Sequence, residues 1–200
     1  MRLVKVLTFT LLISGMCAHA QQKQVCFTVD DLPVVSYGNA SQEFLEEVTN
    51  KLIATFDKYT IPAIGYVNEK KLYVNENIDQ NKVNLLESWL SAGYELGNHT
   101  YSHASYHQAS FEKFTKDVMK GAIITRPLAK RHGKDVAYFR HPYLHIGKTK
   151  EGADSLHLFL ESEGYQEAPV TIDPDDYLFA KQYHVAIHRG DTDKAKEVAE

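Results

Sequence analysis

Residues that cross-link a chain or anchor it to other polymers are scarce in this sequence. Its 200 residues hold two cysteines, one tryptophan and six prolines, and acidic side chains outnumber basic ones, 26 to 22. One of the cysteines, Cys17, lies in an N-terminal segment expected to be removed, so no intramolecular disulfide is expected and stability must come from packing. The other, Cys26, sits in the apolar run VCFTV and is expected to be a buried filler. The missing basic excess excludes nucleic acid and anionic membrane surfaces as partners. Internal repeats, low-complexity stretches and linkers are also absent, which leaves a single domain. A chain of this length buries roughly 70% of its unfolded surface, enough for a real core.

The first twenty residues, MRLVKVLTFTLLISGMCAHA, combine Arg2 and Lys5, an apolar stretch from Val6 to Met16, and Ala18-His19-Ala20. That order is the signature of a secretory signal peptide, too short to span a bilayer as a helix. Cleavage is expected after Ala20, giving a secreted or periplasmic domain over residues 21–200. Met16 precedes Cys17 where a lipoprotein needs a small residue, so no membrane anchor is expected. Loss of two basic and no acidic residues takes the formal charge from −4 to −6.

Beyond that segment, strand and helix patterns alternate. Val25 to Val29 reads as a buried strand ending on Asp30-Asp31, and Ala63 to Val67 as the next. Weaker strands are expected at Tyr94 to Leu96, Val136 to Phe139 and Pro169 to Ile172. Between them lie helical patterns at 41–59, where Ser41 is the N-cap, at 80–92, stopped by Gly93, at 111–131, bent or ended by Pro127, and at 155–163. This βαβ rhythm belongs to a parallel α/β sheet or barrel. Chemistry-bearing side chains follow the strands: Asp30 and Asp31, Asn98 and His99, Arg140, Asp173. Ligands of such folds bind at the carboxyl ends of strands, so these groups are expected to meet at one mouth.

The stretch HTYSH places His99 and His103 four residues apart, which alone is as compatible with one face of a helical turn as with a metal site. Two imidazoles and a carboxylate make a three-ligand site with positions left open for water and substrate. Of two adjacent aspartates, one can ligate while the other serves as general base, and a nearby arginine would hold that base ionised.

Four segments in this order resemble the motifs of the polysaccharide deacetylases of carbohydrate esterase family 4, the NodB-homology domain. They are Thr28-Val29-Asp30-Asp31, His99-Thr100-Tyr101-Ser102-His103, Arg140-His141-Pro142-Tyr143 and Asp173-Pro174-Asp175-Asp176-Tyr177. The resemblance implies a distorted (β/α)7 barrel. It also implies one divalent metal, usually zinc, held by Asp31, His99 and His103. By the same resemblance Asp30 is the general base, Arg140 its orienting partner, the Tyr143 N–H an oxyanion donor, and Asp176 a further member of the catalytic set. The implied activity is hydrolysis of acetyl groups from an N-acetylated or O-acetylated glycan.

The sequence departs from the pattern at Val29 for the usual Phe, at Leu32-Pro33 for Gly-Pro, and at Tyr177 where a Trp often walls the acetyl pocket. The family's last motif, a strand with L-x-H carrying an acid histidine, has one weak counterpart at His188. Residues 177–189 read better as a helix capped by Gly190, with a further helix from Thr192. The expectation is a chain that stops before the acid histidine and the last strand–helix units, with an open sheet edge at the first strand. No second metal site is expected at His141 and His145, and His132 and His157 read as surface residues. Two other functions fit the same residues: a cyclic amidase of the allantoinase-like type, and a non-catalytic glycan-binding relative.

Overall fold

A computed structural model describes residues 25–36 and 41–199. The expected signal peptide and its cleavage point lie outside these residues. Among them, no helix is long and apolar enough to cross a membrane.

Five strands form one parallel sheet: β1 (Phe27–Leu32), β2 (Ala63–Val67), β5 (Glu95–Asn98), β6 (Tyr138–Phe139) and β7 (Gln166–Glu167), side by side in that order. Each step to the next strand passes through helix: α1 (Gln42–Tyr59), α2 (Gln80–Ser91), α3 (Phe111–Lys120) with α4 (Thr125–Arg131), and α5 (Lys150–Ser162). A small hairpin, β3 (Tyr73–Val74) and β4 (Asn77–Ile78), precedes α2. Two helices close the described chain, α6 (Asp176–His188) and α7 (Thr192–Ala199). This is the expected α/β class, with five of the strands present as an open sheet among the described residues.

Local chemistry explains the elements. Ser41, Asp79, Ser110 and Thr149 each accept a main-chain N–H in the first turn of α1, α2, α3 and α5. β2 is a run of apolar residues buried throughout because strands flank it on both sides. One continuous core runs from Leu32 and Phe56 through Trp89 and Leu96 to Phe139, Leu156 and Leu160. Within it, Phe56 packs edge to face on Trp89 and on Tyr94, which tilt against each other, and the Tyr94 hydroxyl donates to Asp57.

Several expectations need correction. β1 is the sheet's edge strand and half-exposed, so Cys26 beside it is exposed and not a buried filler. The pattern at 111–131 is two helices, and the break falls at Gly121 and not Pro127. Pro127 sits in the first turn of α4, where a missing N–H removes no helical bond. Pro169 to Ile172 is not a strand. The chain pairs with β6 two residues earlier, through Gln166 and Glu167, and Ile172 is 82% exposed. Helix α5 starts at Lys150, five residues before the expected point. His157 is exposed, as expected, whereas His132 is half-buried, and each bonds a glutamate, Glu167 and Glu87 respectively.

Glu69, in the 3₁₀ turn after β2 (Glu69–Leu72), is fully buried. Its carboxylate accepts the N–H groups of Ile124 and Thr125 at 2.6–3.0 Å and so caps α4 from across the fold. Burial raises its pKa, while the bonds from Thr125 and Ile124 pull it back. Removing the acceptor strands two buried donors, each worth about 1–3 kcal/mol. Glu69→Ala should therefore lose about 2–4 kcal/mol in urea denaturation, and Glu69→Gln, which keeps one acceptor, about half of that. Equal midpoints for Glu69→Ala and the parent would remove Glu69 from the account of stability.

Candidate functional site

The sheet register assembles the site. Leu32 pairs with Val67, Val67 with Asn98, Asn98 with Phe139 and Phe139 with Glu167, so five strand ends lie in one row. His99 and Arg140 are the next residues after that row on their strands. Asp31 precedes it because β1 carries an extra residue: Val29 faces Gly65 but Leu32 faces Val67. The bulge puts Asp31 at φ 67°, a left-handed conformation that costs an ordinary residue about 1–2 kcal/mol.

Asp31, His99 and His103 each offer a ligand atom, all within 4.8 Å of one another. His103 Nε2 lies 3.8 Å from Asp31 Oδ1. The two histidines do not share a helix. They bracket an irregular loop in which Thr100 (φ 65°) and His103 (φ 56°) are left-handed, and this loop folds the two rings to a 4.9 Å separation. Asn68 holds the loop by donating to the His99 carbonyl at 2.6 Å, and Asn98 Oδ1 accepts the Thr100 N–H. Gly121 lets the end of α3 press against the loop: a Cβ there would meet the Thr100 carbonyl carbon at 2.6 Å.

His99 is buried, and its Nδ1 lies 2.8 Å from the Arg140 carbonyl oxygen. A carbonyl only accepts, so Nδ1 carries the proton and Nε2 presents its lone pair. Burial pushes the His99 pKa down to about 4, and burial also lowers that of His103, which keeps both neutral near pH 7. Two neutral imidazoles and a carboxylate converging on one point are a donor set that fits a divalent ion.

Asp30 and Arg140 lie beside this cluster. The buried Arg140 guanidinium donates to Asp30 Oδ2 (3.4 Å) and to Thr28 Oγ1 (3.3 Å), and stands 4.7 Å over the Tyr66 ring. Asp30 Oδ1 is buried with no hydrogen-bond partner among the described residues. Burial raises the Asp30 pKa to about 6 despite the opposing Arg140 charge, and Asp31, Asp176 and Asp173 push it the same way. Tyr143, at φ 58°, sets its ring edge-on to His103 at 4.4 Å.

Six of the seven site residues expected from sequence thus converge: Asp30, Asp31, His99, His103, Arg140 and Tyr143. Asp176 does not join them by contact. It is exposed in the first turn of α6 and reaches Asp30 only through space. Asp173 lies six residues past the end of β7, not at a strand end. His188 closes α6, roughly 18 Å along the helix from Asp176, and is not on a strand.

Two residues of the segment after β2 also support the site. Lys71 donates to the Asp31 carbonyl oxygen at 2.7 Å and lies 3.4 Å from its carboxylate, and Asn68 holds the histidine loop. The same strand-end rule that singled out Asp30 and His99 points to NEKKL, which directly follows Val67.

The polysaccharide deacetylase family profile matches residues 18–158, more than two thirds of the chain. No curated protein matches significantly. Among solved structures, the fold is similar to a CE4 family pseudoenzyme from Bacillus anthracis (14% identity, 80% of this chain and 47% of that one, TM-score 0.56). It is also similar to the peptidoglycan deacetylase PdaC from Bacillus subtilis (23%, 78% and 63%, TM-score 0.54). A third is a family 4 carbohydrate esterase from Streptomyces lividans in complex with acetate (21%, 76% and 65%, TM-score 0.53). The chain spans about half the length of the first of these. The matched residues contain the bulged Asp30-Asp31 strand, the histidine loop and the Arg140 turn, and this chain belongs to the polysaccharide deacetylase family.

Proposed function

We propose that the protein is an exported, metal-dependent hydrolase that removes acetyl groups from an N-acetylated or O-acetylated glycan. The observation that carries this reading is the meeting of Asp31, His99 and His103 beside an Asp30 carboxylate whose inner oxygen is unbonded. Two similar structures are named as peptidoglycan deacetylases, so peptidoglycan is the glycan to test first. The N-terminal charge, apolar run and Ala-x-Ala triplet support export.

Asp31, His99 and His103 would hold the ion, with zinc the first metal to test. A divalent ion there supplies Lewis acidity toward the acetyl carbonyl and toward a water. Asp30 accepts the proton of the attacking water at Oδ1, while Arg140 holds Oδ2 and thereby aims the carboxylate. The bond from the acetyl carbon to the sugar nitrogen or oxygen then breaks, and that proton goes to the departing amine or alcohol. The Tyr143 main-chain N–H is the proposed donor to the developing oxyanion. Asp176 tunes the base from a distance, since its negative charge makes Asp30 a stronger proton acceptor.

The metal assignment is tested by titrating metal-free protein with zinc. About one ion per chain should bind, and His99→Ala should lose most of the affinity. Stoichiometric metal kept by the His99→Ala, His103→Ala double variant would exclude this site. Acetate release from peptidoglycan or a chitin oligosaccharide distinguishes deacetylation from cyclic amide hydrolysis and from glycan binding alone.

Asp30 and Asp31 should separate cleanly. Asp30→Asn should abolish acetate release while keeping the metal, because it removes a base and not a ligand. Asp31→Asn should weaken the metal itself, and reversed phenotypes would show the roles to be exchanged.

In metal-free protein the Asp30 carboxyl should titrate near 6, and Arg140→Met should move it higher by removing the opposing charge. Carboxyl carbon NMR shifts read both values. A folded value above the unfolded one of about 3.9 means that protonated Asp30 favours the fold. That contribution is full below about pH 4 and is lost as pH rises through about 6, while competence as a base rises over the same window. A carboxyl titrating near 4 in the folded protein would contradict the burial argument.

A further inference from the structure

Behind the Arg140 turn lies a second set of side chains that the reaction does not use. His141 is buried and hydrogen-bonds Glu167 through Nε2, and the other oxygen of Glu167 bonds Nδ1 of His157 on α5. Burial alone would raise the Glu167 pKa, but the bonds from His157 and His141 outweigh it and hold the group as a carboxylate. Glu167 is also fixed as backbone. It faces Phe139 in the sheet, and the next N–H, that of Ala168, donates to the Phe139 carbonyl. A charged residue in a two-residue strand, aimed at a buried histidine, is poorly explained by packing alone, which an apolar residue would serve better.

The consequence runs through one peptide plane. The Arg140 carbonyl and the His141 Cα belong to the same rigid peptide unit, so anchoring the His141 ring restrains how far that carbonyl can turn. The carbonyl is the acceptor for His99 Nδ1, which leaves Nε2 with its lone pair free to serve the cluster with Asp31 and His103. On its other side Arg140 is held by its N–H, which donates to the Asn98 carbonyl. The Arg140–His141 unit is thus pinned from the sheet on one side and by Glu167 on the other.

We propose that Glu167 is a positioning residue for the metal site: through His141 and the Arg140 carbonyl, it fixes the tautomer and orientation of His99, with His157 steadying Glu167 from outside. This rests on the metal reading of His99 but concerns the free protein as well. Partners one step removed from a ligand are worth about 10–100-fold in metal affinity.

The test uses the whole protein with ¹⁵N-labelled histidine rings, and cobalt(II) as the probe metal. In metal-free wild type, His99 should show a protonated Nδ1 and a bare Nε2. Glu167→Gln should mix the two tautomers of His99 and weaken cobalt binding, by less than the roughly 10–100-fold of a partner bonded directly to a ligand. The exposed variant His157→Ala, which carries little risk to folding, should shift both readouts in the same direction by less. His141→Gln, which can still donate to Glu167, should stay closer to wild type than His141→Ala. Glu112→Gln, an exposed acid on α3, should change neither readout. Wild-type His99 ring shifts in both Glu167→Gln and His157→Ala would overturn the proposal. A wild type that binds no cobalt would overturn the metal reading instead, while the ring shifts still decide the role of Glu167.

Discussion

Hydrogen-bond register across five parallel strands is the constraint on which the site depends. Parallel pairing brings Leu32, Val67, Asn98, Phe139 and Glu167 level, although they are separated by up to 135 residues of chain. A slip of one residue in any pair would turn every side chain of the slipped strand to the opposite face and scatter the ligands. Burial of β2 on both sides and the core around Trp89 and Phe139 hold that register. One deliberate irregularity is built on it: the bulge in β1 that delivers two adjacent aspartates to the same mouth, one toward the histidines and one toward Arg140.

Strain gathers where this precision is needed. Of the nine non-glycine residues with left-handed backbone among the described residues, five (Asp31, Thr100, His103, Tyr143 and Leu144) lie in or next to the cluster. Such conformations persist only where surrounding bonds over-determine them. Here Lys71 holds the Asp31 carbonyl, Asn68 and Asn98 hold the histidine loop, and Gly121 allows α3 to pack flush against it. The electrostatics follow from the same enclosure. Burial keeps His99 neutral and lifts Asp30, and the buried Arg140 limits the rise without cancelling it.

Much of this was legible in the residues themselves. The helix at 42–59 and the strand at 63–67 follow from Ser41, from 3.6-residue apolar spacing and from a five-residue apolar run, because each is a local property. Short strands were less legible. β6 and β7 hold two residues each, too few to show any period, so the last strand was expected at Pro169 when pairing had already ended at Glu167. The residues of β1 read as buried although the strand is half-exposed, since β-branched and apolar residues serve an edge strand as well as a central one.

The sequence by itself determined the chemical inventory: adjacent aspartates, paired histidines, an arginine before a proline turn, and a strand–helix rhythm that sends them toward one side of a sheet. Those are facts of residue type and spacing, carried by short stretches of chain. Only the tertiary structure decided which atoms meet. The His99 tautomer depends on a carbonyl 41 residues away, Asp30 on a guanidinium 110 residues away, and His141 on a glutamate that no local pattern marks. Side-chain direction at such range is set by register, bulge and burial together, and these exist only once the sheet has formed.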